Sequence, residues 1–149
     1  MGLPSDIINF VHAEGRNKIV FCHQPIDELL FVNVGRELSL LINDDASEEN
    51  IQRSINNVLS RTNRHEQIGD YLAIENVGIL FEPELRLNLR SIFDSHSKNQ
   101  TLFVCCDGEI VDSKFHFIEA TSNAIIDLSG LLYYMCKLLN NEIQRPNPV

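Results

Sequence analysis

Residues 71–106 read YLAIENVGILFEPELRLNLRSIFDSHSKNQTLFVCC, and this stretch decides the fold class. It opens on an apolar run, Tyr71–Asn76, and closes on another, Thr101–Cys106. Between them Leu85, Leu89, Ile92, Phe93 and His96 recur at helical spacing, which predicts a helix over about 84–97. Two near-continuous apolar strands joined through a helix are the signature of a parallel sheet buried on both faces.

Working outward toward the amino end, Lys18–His23 and Leu29–Val34 are further apolar runs expected as strands. A short helix is expected over Arg36–Ile42. Ser47 is a cap residue followed by Glu48 and Glu49, and Ile51, Ile55, Val58 and Leu59 then mark one face of a helix running to about Arg61. Ser5 is expected to cap an opening helix over Leu3–Glu14. Toward the carboxyl end, Lys114–Glu119 alternates Phe115 and Phe117 with His116, which predicts the fifth strand. Ser122 is expected to open a long apolar helix over about 123–142, and 144–149 a frayed tail. The expectation is one three-layer α/β domain over 1–149 with a mostly parallel five-stranded sheet. The first connection stands apart, because only Gln24–Glu28 separate the first two strands and a parallel crossover usually needs a dozen residues. Those strands pair antiparallel, form one bent strand, or are not neighbours.

The 149 residues carry 12 Lys plus Arg against 21 Asp plus Glu, a net charge of −9. With 44% hydrophobic residues this is globular usage rather than disorder, and the charge disfavours broad nucleic-acid backbone binding. The start shows no signal peptide pattern. The longest apolar segment, Ala124–Leu139, is interrupted by Asp127, Ser129, Gly130 and Lys137 and is short of a membrane span. A cytoplasmic protein without membrane contact is expected. The four cysteines, Cys22, Cys105, Cys106 and Cys136, form no Cys-x-x-Cys pair, so they read as buried thiols rather than zinc ligands, with Cys106 at a strand end more accessible than Cys105.

Several segments taken in order carry a resemblance. Phe31-Val-Asn-Val-Gly-Arg-Glu-Leu-Ser-Leu-Leu resembles the "LNVGLELS" segment of the small BrxF P-loop proteins of type 3 BREX anti-phage systems. Tyr71-Leu-Ala-Ile-Glu-Asn-Val-Gly-Ile-Leu-Phe-Glu-Pro-Glu-Leu is similar to that family's "LLDNIEILFDPEL". Leu89-Arg-Ser-Ile-Phe and Ser97-Lys-Asn-Gln-Thr-Leu-Phe-Val are similar to its "LRLLQ…SRNRTLVV", and Asp107-Gly-Glu to a "PGE" turn. The similarity spans Phe31–Glu109, about half the chain.

The family carries a Gly-x-x-x-x-Gly-Lys-Ser/Thr loop after its first strand. Here Gln24-Pro-Ile-Asp-Glu-Leu stands there, no Gly-Lys dipeptide exists, and no two of the seven glycines flank such a loop. The family's strand-end Asp falls on Ile74 or Glu75. Without backbone amides, a Lys and a hydroxyl around the phosphates, the chemistry has no footing. The resemblance therefore implies a degenerate P-loop-NTPase-like fold that has lost nucleotide binding and uses no cofactor. It implies a non-catalytic interaction subunit, a pseudo-NTPase, of a bacterial BREX-like anti-phage system.

Two rival readings rest on the residues. Expected strand ends supply His23, Asn33, Glu75, Cys106, Asp107 and Glu119, so a small cytosolic enzyme could use a Cys106–His23 pair, or a metal held by His23, Glu75 and Asp107. Alternatively Arg53 and Arg64 at the spacing of one helical face, with Arg61 close by, and Arg86 and Arg90 four apart on another expected helix could contact nucleic acid; the bland reading is a solvated, acid-balanced face. For the interaction reading, the expected last helix is apolar nearly all round, which assigns Leu131, Tyr133, Tyr134 and Leu138 to self-association or to another subunit.

Overall fold

The computed structural model describes residues 2–42, 47–118 and 124–136. In chain order these form α1 (Ser5–His12), β1 (Lys18–Cys22), β2 (Phe31–Asn33), α2 (Val34–Leu41), α3 (Glu48–Val58), β3 (Asn63–His65) and β4 (Gly69–Glu75). Two short 3-10 turns, Gly78–Phe81 and Pro83–Leu85, precede α4 (Leu89–His96) and β5 (Thr101–Cys105). Then come β6 (Gly108–Val111), β7 (Lys114–Phe117), β8 (Ala124–Asp127) and β9 (Leu132–Met135).

Five strands form a parallel sheet in the order β2-β4-β5-β1-β9, and β3 adds antiparallel to β4. The α/β class and the mostly parallel sheet expected from the sequence are thus present. The short first connection has its explanation: β1 and β2 are not neighbours, since β5 and β4 lie between them. Residues 23–30 cross three strand spacings, roughly 14 Å. They do so without a helix, burying Ile26 and Leu29 on the sheet as they pass.

Both faces are covered. On one, α1 and the 23–30 crossover bury Leu3, Ile7, Ile26 and Leu29 against Val20, Ala73 and Phe103. On the other, Leu38 of α2, Ile55 of α3 and Phe93 of α4 pack on Ile19, Phe21, Leu72 and Val104. Burying each such side chain fully is worth roughly 1.5–3 kcal/mol. Lys18 is buried at the start of β1 and closes α1, donating from Nζ to Val11 O at 2.7 Å and to Ala13 O.

Four expectations are corrected. Residues 114–117 are a strand but not the fifth parallel one; β7 sits in a separate antiparallel sheet, β6-β7-β8. The long helix over 123–142 is overturned across its described part, where β8, a turn and β9 occur instead. The turn decides it: Gly130 adopts a left-handed φ of 83°, and Asp127 Oδ1 accepts from Ser129 N at 3.0 Å. β9 then takes the fifth parallel place beside β1. The helix over 84–97 shrinks to α4, because Arg86 is left-handed (φ 52°) and Asn88 caps a fresh start by accepting from Ser91 N at 3.0 Å. At α1 the cap position is Pro4, not Ser5, with no side-chain cap bond.

Candidate functional site

Open parallel sheets bind ligands beyond the carboxyl ends of their strands, where connections diverge. Here the chain leaves β1 past β5 and β4 to reach β2, and leaves β5 past β1 to reach β9. The divergence therefore lies between the adjacent strands β1 and β5. Cys22-His23 ends one and Cys105-Cys106-Asp107 the other, and neither end carries a Lys or Arg.

Register aligns the side chains there. Asn33, Glu75, Cys105 and Cys22 stand level on four neighbouring parallel strands. Cys136 follows on the fifth, its amide donating to Phe21 O at 2.8 Å. Alternation places Cys105, Cys22 and Cys136 on the face covered by α1 and the crossover, where all three join one apolar cluster. Cys106 packs with the cluster of the opposite face, its N–H donating to Cys22 O at 3.0 Å. Cys22 and Cys136 are buried, while Cys105 and Cys106 are both partly exposed. Cys22 Sγ donates to Val104 O at 3.8 Å. Interaction between the level Cys22 and Cys105 thiols pushes the Cys22 thiol up, with burial adding, and holds Cys105 below an ordinary thiol against burial and the carboxylates of Glu75 and Asp107.

His23 and Asp107, predicted from strand ends, do meet, with His23 Nδ1 3.3 Å from Asp107 Oδ1. Both are substantially exposed (32% and 46%), so the pair is a weak surface contact. Glu75 ends β4 one strand further out. Glu119 lies outside the described residues. Among the described residues no group of three or more His, Cys, Asp or Glu side chains is arranged to hold a metal ion.

At the outer end of the row, the Asn33-Val-Gly motif is a backbone knot. Asn33 Oδ1 caps α2 through Arg36 N at 3.0 Å and accepts from Asn76 Nδ2 at 2.8 Å. Gly35 N donates to Asn76 O at 2.9 Å. A Cβ on Gly35 would stand 2.6 Å from Asn76 Nδ2, so the close approach needs glycine there.

The residues expected to form an interface lie on and beside β9 rather than on a helix. Leu131 is buried. Tyr133 places its hydroxyl 3.3 Å from Ser113 Oγ. Tyr134 stacks on Phe10 at 5.6 Å and donates to Asp6 Oδ2 at 3.1 Å. Leu138 lies outside the described residues.

The arginines are dispersed. Arg53 is exposed on α3. Arg61 pairs with Glu37 at 2.8 Å beyond the end of α3. Arg64 sits on β3 rather than the helix and pairs with Asp70 at 2.9 Å. Arg86 precedes α4 in the left-handed position. Arg90 donates to Asp127 O at 2.9 Å and Ser129 O at 2.6 Å, pinning the β8–β9 turn.

No protein-family model, curated protein or solved structure matches the chain. No helix among the described residues is long and apolar enough to cross a membrane. The Cys22–Cys105 register escaped sequence reasoning, since two thiols 83 positions apart show no spacing motif; only strand pairing brings them level.

Proposed function

We propose that the chain is a non-catalytic interaction subunit of a bacterial, BREX-like anti-phage defence system, acting in the cytoplasm on a P-loop-like core that has lost nucleotide binding. One observation carries the loss of nucleotide binding. β1 is an inner strand at the point where connections diverge, the place where a parallel sheet presents a phosphate loop and helix. Its carboxyl end runs instead into the helix-free crossover 23–30, which contains no glycine and no lysine. Ile26 and Leu29 bury that crossover against the sheet, so it is a packed element. The defence setting is supported by the ordered motifs within Phe31–Glu109. The Asn33–Gly35–Asn76 knot gives the first of them a structural role independent of nucleotide.

Co-expression with the products of the genes flanking its own tests the reading. The expected result is that methylase-, helicase- or phosphatase-like neighbours are found and that at least one co-purifies stoichiometrically. A chain that purifies alone beside every neighbour would overturn it.

A further inference from the structure

The thiols at the carboxyl edge form an arrangement that the interaction reading does not use. Cys22 and Cys105 are directly level on adjacent parallel strands, with both side chains on the same face. Neighbouring strands lie about 4.8 Å apart, inside the roughly 4.4–6.8 Å window of Cα separations that a disulfide spans. The Cys22 thiol donates to Val104 O at 3.8 Å, so its S–H rests within the sheet beside Cys105. Cys105 is partly exposed and Cys22 fully buried, which divides them into an accessible thiol and a sheltered one. A cleft of about 350 Å³ between the start of α1 and the crossover, lined by Gly2, Pro4, Pro25, Ile26, Glu28 and Cys136, brings solvent to the end of the same thiol row.

We propose that Cys22 and Cys105 are a reversible redox pair, oxidised by hydrogen peroxide to a cross-strand disulfide and reopened by a dithiol reductant. In the first step the Cys105 thiolate attacks one peroxide oxygen. The O–O bond breaks, hydroxide leaves, and Cys105 becomes a sulfenic acid. In the second step the Cys22 sulfur attacks the Cys105 sulfur. The S–O bond breaks, and the departing hydroxide takes the Cys22 proton as water. In sum two thiols and one peroxide give one disulfide and two waters. Partly exposed Cys105 is the attacking partner, its thiol held below the ordinary range by the neighbouring Cys22, and buried Cys22 is the resolving one. A bridge between strands already fixed by ladder hydrogen bonds cannot relax fully, which makes it readily reducible.

Peroxide treatment of the folded protein, followed by alkylation under denaturing conditions and tryptic mapping, tests the pair. The wild type is expected to lose about 2 Da, the mass of two thiol hydrogens. It should leave two of its four thiols alkylated, and link peptide 19–36 to peptide 99–114. Dithiothreitol should reverse the change. Cys105→Ala should abolish the linkage and Cys106→Ala should retain it. A wild type that keeps all four thiols would overturn the proposal. So would linkage of 19–36 to 115–137, or linkage that survives Cys105→Ala. Cys105 is only partly buried, so its variant is expected to fold, and the wild-type map decides independently of any variant.

Discussion

Phe115→Ala probes the junction between the two sheets. Phe115, on β7, is fully buried, and its ring stacks on Phe21 of β1 with centroids 4.4 Å apart and planes 8° from parallel. Phe21 in turn tilts against Phe93 of α4 at 6.4 Å. One ring thus ties the small antiparallel sheet, an inner strand of the parallel sheet and a helix. Truncating a buried Phe to Ala costs about 3–5 kcal/mol, the lost burial plus an uncollapsed cavity. The lost stacking, worth about 0.5–1.5 kcal/mol, is already inside that measured range. A domain stability of about 5–15 kcal/mol means that this one change removes a large share. At about 2–4 °C per kcal/mol for this size, the melting midpoint should fall by roughly 6–20 °C. Phe117→Ala is the control: its ring stacks on Phe81 at 4.1 Å but is partly exposed, so about 1–2 kcal/mol is expected. Urea titrations of both variants, with unchanged m-values, give the comparison. Equal losses, or less than about 1 kcal/mol at Phe115, would refute the docking argument.

Asn33→Ala should cost about 1–2 kcal/mol in thermal or urea unfolding, because the cap of α2 and the bond to Asn76 go together; a neutral result would remove the knot from the account. Arg61 holds the Glu37 carboxyl below the ordinary carboxylate range, chiefly through its hydrogen bond. A lowered folded pKa contributes stability above the unfolded value that is lost as pH falls through the folded one. Arg61→Ala should therefore raise the Glu37 midpoint in a carbon-detected NMR titration, and an unmoved midpoint would contradict the assignment. His96 is pushed below the usual histidine range by burial, so its ring should titrate below about 6.5 by proton NMR. A midpoint at or above that value would place the ring in water.

The inner parallel strands were legible because a strand buried on both faces reads as a continuous apolar run, as in Ile19–Cys22 and Leu72–Ile74. The same continuity misled at 124–136, where apolar residues on every side fit a buried helix as well as two strands. Ser129-Gly130 was the signal that separates the two, a turn dipeptide inside the run. The β6–β7 hairpin was hidden for a different reason. Its two-residue turn, Asp112-Ser113, has both residues at positive φ (53° and 62°), yet neither is the Gly or Asn that advertises such a turn. Strand ends could be listed from sequence, which is why His23 and Asp107 were candidates that proved adjacent. Which ends stand side by side depends on strand order, so the level Cys22 and Cys105 could not be read without it.

The inner strand β1 ends in a packed crossover where a nucleotide-binding sheet would hold a phosphate loop. Calorimetric titration of the intact wild-type chain with ATP and Mg²⁺ tests it most directly. Only heats of dilution are expected up to millimolar nucleotide, roughly −4 kcal/mol of binding free energy. A saturable isotherm with a micromolar Kd, about −8 kcal/mol, would contradict it.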